Sequence, residues 1–136
     1  MMFSKSILLS TLVAFLYFYF VPWGFYTFAA ECLQEYVLIP TMRENIMPGV
    51  LAIGVLLMSF AFVHIFQRWS GGVYFNKRGF YFGFWFALFE AVAIGIIRYA
   101  TTEIVAAQYY VLDGIFWTAM YSVGGVLVAI VFRKTS

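Results

Sequence analysis

Four apolar runs, parted by three short polar loops, decide the solvent in which this chain folds. They extend from Ser6 to Ala30, Met47 to Phe66, Gly79 to Ala100 and Tyr109 to Phe132. Each reaches the roughly 20 residues that carry a helix across the hydrocarbon of a bilayer. None alternates polar and apolar residues as a barrel strand does, and a backbone in lipid must satisfy its amides within its own segment or in a closed barrel. Composition points the same way: 65% of residues are hydrophobic and 10% are charged, whereas soluble domains carry about a quarter charged residues. The expected fold is an all-α integral membrane protein, a four-transmembrane-helix bundle occupying residues 1–136 as a single domain.

Basic residues set the orientation. Lys5 precedes the first run, Arg68, Lys77 and Arg78 lie between the second and third, and Arg133 and Lys134 follow the fourth. The alternate side holds Glu31, Glu35, Glu44 and Glu103 against Arg43 and, at its rim, Arg98. By the positive-inside rule both termini are expected in the cytoplasm. The net charge of +2 is a topogenic signal, and no basic cluster is dense enough to suggest nucleic acid.

Lys5, the first apolar run and the small residues Ala29 and Ala30 imitate a secretory signal. The run is about twice the usual signal length, so a retained helix is expected. Pro22-Trp23-Gly24 within it predicts a bend, because proline removes a backbone donor. Cys32, the lone cysteine, is expected to be an inert thiol on the outer side. The loop from Glu31 to Asn45 begins amphipathically enough to lie at the headgroups until Pro40, and Asn45 with Pro48 reads as a cap and first turn of the second helix. On the opposite side Ser70-Gly71-Gly72 reads as a turn, followed by an aromatic and basic rim from Tyr74 to Arg78.

The third run carries a ladder of small residues, Gly79, Gly83, Ala87, Ala91 and Gly95, each four positions after the last. The fourth offers Gly114, Thr118, Ser122, Gly125 and Ala129. The short connection from Thr101 to Gln108 makes these two helices antiparallel neighbours, so the two faces are expected to meet along their length, as small residues let membrane helices approach closely. Glu90 lies roughly 16 Å along the third helix from its start, near the midplane. It is expected to be the most buried titratable group, a protonated acid held by Tyr121 and Ser122 at the same depth. Arg98 stands about 12 Å further along by helical rise, with Glu103 or Asp113 as its expected partner.

His64 is the only histidine and is expected at the interface, bonded to a carbonyl or headgroup, since one histidine supplies neither a metal set nor a paired haem ligation. Tyr17, Tyr19, Tyr26, Tyr36, Tyr99, Tyr109 and Tyr110, with Trp23, Trp69 and Trp117, are read as interfacial belts. The run from Phe15 to Phe20 carries aromatics on every face, which suits lipid or a neighbouring subunit. No catalytic, metal or cofactor signature is present, so neither an enzyme nor a cofactor is expected.

Residues 65–134 resemble small, uncharacterised four-span bacterial inner-membrane proteins. The likeness is carried by Arg68-Trp69-Ser70-Gly71-Gly72, by Arg78-Gly79-Phe80-Tyr81-Phe82-Gly83, by Tyr99-Ala100, and by Trp117 and Gly124-Gly125 before Arg133-Lys134. It implies an inner-membrane location and no particular activity. Two functions fit the residues. One is a non-catalytic accessory or scaffold subunit of a membrane assembly, with partners in the bilayer, in other membrane subunits or in further copies of itself, and with Phe18 or Phe20 at the contact. The other is a small oligomeric transporter or ion conduit coupled through Glu90.

Overall fold

The computed structural model describes residues 4–38 and 47–136, and four helical rods organise them. The first is α1 (Lys5–Phe28), trailed by a five-residue helix, α2 (Ala30–Gln34), and the second is α3 (Pro48–Ser70). The third is α4 (Asn76–Ala87), continued by a π-helical segment (Leu88–Ala93) and then by α5 (Ile94–Thr101). The fourth is α6 (Ala107–Thr135). All four rods are long and apolar enough to cross a membrane. They exceed the sequence-read bounds at most ends because polar rim residues such as Arg68, Lys77 and Arg133 continue the helical hydrogen bonding. The first instead stops at Phe28, and Ala30 begins α2. The helix of α1 runs on through Pro22.

Local chemistry explains the helix ends. Ser4 caps α1, its hydroxyl accepting from the Ile7 amide at 3.3 Å, one of the donors a helix start leaves open. Pro48 sits in the first turn of α3, where its missing amide hydrogen costs nothing. Gly71 and Gly72 come after Ser70 with φ of +60° and +84°, the left-handed conformation that ends a helix most cheaply when no Cβ is present. The Arg78 guanidinium donates to the Ser70 carbonyl at that end and lies 6.0 Å from the Trp69 ring. The expected basic turn is therefore held by its own arginine. The expected cap Asn45, along with Pro40, Arg43 and Glu44, lies outside the described residues.

The rods alternate in direction. Both termini share one end, where Thr135 donates to Ser6 at 2.9 Å and Tyr74 stacks on Phe132 with centroids 4.9 Å apart. At the far end the segment after α2 pairs with the α5–α6 connection through one antiparallel bridge, Val37 with Val105. The Leu38 amide donates to the Ile104 carbonyl at 2.9 Å and the Ala106 amide to the Tyr36 carbonyl at 2.8 Å. That bridge ties the two loops together where they leave the bundle.

The core is aromatic. Phe18, Phe62, Phe82 and Tyr121 meet at its centre, with Phe62 edge-on to Phe18 at 5.3 Å. The expectation that Phe18 faces a partner is corrected: it is 2% exposed, whereas Phe20 is 55% exposed. Helix α1 packs against both α3 and α6, and a residue two positions from Phe18 points to the other side of the helix. Tyr17, read as part of an interfacial belt, instead donates to the Met120 carbonyl of α6 at 2.9 Å.

Candidate functional site

The contact between the third and fourth rods is built on glycine. A Cβ at Gly79 would overlap the Gly125 carbonyl, one at Gly83 the Tyr121 carbonyl, and one at Gly125 the Gly79 carbonyl. Ala87 and Ala129 are fully buried. The backbones thus approach as closely as glycine permits, which gathers dispersion contacts where lipid offers no hydrophobic drive.

The contact does not run the length of the helices. It thins where α4 gives way to the π-helical segment. A π turn places one extra residue in the α ladder, and so rotates the remainder of the rod by about 100° relative to an unbroken α-helix. Past that turn Gly95 has only the Tyr110 ring near, at 3.8 Å from where a Cβ would sit, and Gly114 has nothing within 4 Å. Ala91, Gly95, Gly114 and Thr118 line an open apolar cavity of about 800 Å³. The single packing face expected from the ladder is therefore two features, a tight half at Gly79, Gly83 and Gly125 and a parted half beyond.

Glu90 lies in the π segment and is exposed. The expected bonds to Tyr121 and Ser122 are not formed. The Tyr121 hydroxyl is directed to Met58 Sδ at 3.8 Å, and both Tyr121 and Ser122 are buried, at 4% and 3% exposure. Glu90 has no hydrogen-bond partner among the described residues. The rotation of the π turn carries its carboxyl off the face that α6 covers.

The acid that the bundle does engage is Asp113, half-buried on α6. Tyr26 on α1 donates to Asp113 Oδ1, and Trp117 Nε1 donates to the same tyrosine oxygen at 2.7 Å. Phe25 stacks on Phe116 beside them, with centroids 3.7 Å apart and ring planes 6° apart. Arg98, exposed near the end of α5, lies within electrostatic reach of Asp113. Tyr26 and Trp117 are thus members of a half-buried network and not only of an interfacial belt. Sequence reading missed the cluster, although Asp113 and Trp117 stand four apart on one helical face, a spacing that makes them neighbours.

His64 Nδ1 lies 3.0 Å from the Phe60 carbonyl, the carbonyl bond its position suggested, while its Nε2 is enclosed without a hydrogen-bond partner among the described residues. Cys32 is a free, exposed thiol. Among the described residues no three His, Cys, Asp or Glu side chains stand close enough to hold a metal ion. Comparison with protein-family models, curated proteins and solved structures finds no match for this chain.

Proposed function

We propose that this protein is a non-catalytic integral-membrane accessory or scaffold subunit of the bacterial inner membrane, with both termini in the cytoplasm. Lys5, Arg68, Lys77, Arg78, Arg133 and Lys134 crowd the end that carries the termini, which supports that orientation. The observation that carries the function is Glu90, an exposed carboxyl midway along a rod of 26 residues apolar enough to cross a membrane. A charged side chain at the bilayer centre costs about 2.5–3.5 kcal/mol on insertion scales. A neighbouring helix that supplies a donor or a cation removes that cost, and the surrounding Trp85, Phe89 and Leu88, all exposed, give such a neighbour apolar surface to cover.

The same exposed intramembrane acid supports a second reading, a small oligomeric ion or proton conduit coupled through Glu90. The two readings part on one experiment. Complexes extracted from native membranes in mild detergent and weighed intact should contain a second membrane polypeptide, of this chain or another. Glu90→Leu should release it, and Glu90→Gln, which keeps the hydrogen-bonding shape, should retain it. Loss of a proton-coupled flux in a Gln variant that still assembles would favour the conduit. A monomer at every concentration, with nothing co-purifying, would remove the subunit reading.

A further inference from the structure

The parted half of the α5–α6 contact leads into a second space. The apolar cavity of about 800 Å³ falls within the roughly 300–1,000 Å³ range of ligand sites, and it is open because Gly95 and Gly114 leave their positions unfilled. A further cavity of about 700 Å³ lies at the far end, against the α5–α6 connection, and Tyr99 and Ala107 line both. Its character is different. Thr102, Glu103 and Gln108 line it alongside Tyr99, so polar groups stand at the mouth of an apolar slot. Among the described residues Glu103 is its one charged lining residue.

A ligand that suits both spaces has a long apolar portion and a compact head bearing a cation. We infer that the slot and its mouth form a site for an aminophospholipid, with one acyl chain between α5 and α6 and its ammonium against Glu103. Tyr99 and Gln108 supply donors for the phosphate and ester oxygens. The depth matches, because the mouth lies where the helices end and headgroups begin. A second copy of this chain is the poorer occupant. Its far end brings exposed Glu31 and Glu35 toward Glu103, and like charges repel. The inference shares with the proposed function only the premise that the chain lies in a bilayer, and it does not involve Glu90.

The test weighs the intact protein after reconstitution in nanodiscs of phosphatidylethanolamine and phosphatidylglycerol and gentle release into detergent. The wild type should retain one phosphatidylethanolamine per chain, preferred roughly three-fold over phosphatidylglycerol, the scale of one exposed charge pair. Glu103→Gln should keep a lipid and lose the preference. A Cβ at Gly114 meets open space, so Gly114→Leu should fill the slot and lose the lipid. Ile115→Trp, on the exposed rim of the slot, should do the same if the Leu variant folds poorly. Equal retention by wild type and both slot variants, absence of any headgroup preference, or a polypeptide held in the slot would each overturn the assignment. Because Glu90 is untouched in every variant, loss of the lipid leaves partner binding intact, and failure of one reading is separable from failure of the other.

Discussion

Tyr26 and Asp113, 87 positions apart in sequence, are joined by a hydrogen bond that pins α1 to the far half of α6. Trp117 completes the pair by donating to the tyrosine oxygen. Tyr26→Phe removes the shared oxygen and leaves Asp113 with only the neighbouring Trp117 indole as a donor. The expected loss is about 1–2 kcal/mol, between the average intramembrane hydrogen bond and one made to a charged group. Thermal unfolding in detergent reads it, and a double-mutant cycle with Asp113→Asn should show strong non-additivity. Additive losses would mean that the two residues act independently.

Gly83 and Gly114 should respond oppositely to the same change. Gly83→Ala drives a methyl into the Tyr121 carbonyl, a backbone atom that yields only if the helices separate, and should cost about 1–3 kcal/mol. Gly114→Ala meets open space and should stabilise α6 by up to about 1 kcal/mol through helix propensity. Equal effects would mean that α5 and α6 close together as tightly as the α4 half does.

Phe18 and Phe20 make a matching pair on α1. Phe18→Ala empties the aromatic centre and should cost about 3–5 kcal/mol. Phe20→Ala, at an exposed position, should change the stability of the isolated chain by about 0.5 kcal/mol or less. Unfolding of the two variants side by side checks the assignment of Phe18 to the core.

Orientation is tested at Cys32, the native exposed thiol. A membrane-impermeant maleimide added to intact cells should label it, and a cysteine placed at Ser136 should react only after the membrane is opened. The reverse pattern would invert the orientation.

These contrasts show where the chain was readable. Apolar run length revealed the four rods, because length and hydropathy are properties of a segment by itself. The glycine ladder was legible as far as Gly83 and Ala87. It misled at Ala91 and Gly95, because nothing in Leu88-Phe89-Glu90-Ala91-Val92-Ala93 marks a π turn and the ladder assumes unbroken α geometry. Glu90 was misjudged for the same reason, since its azimuth was counted through that turn. The burial of Phe18 was hidden because phenylalanine is at home both in a core and against lipid, so hydrophobic patterning does not separate its faces. Asp113 was weighed only as a partner for Arg98, and its bond to Tyr26 depends on which helices adjoin. The pairing of Val37 with Val105 likewise joins loops that no local signal connects.

The exposed carboxyl of Glu90 carries the proposal of a membrane partner, and the residue beside it offers the most direct test. Phe89 is 66% exposed, so a photoreactive benzophenone side chain there samples the molecules covering this face in native membranes. Irradiation should yield a discrete adduct with a membrane polypeptide, and the adduct should persist in Glu90→Gln and vanish in Glu90→Leu. Adducts with lipid alone, unchanged by either substitution, would contradict the account.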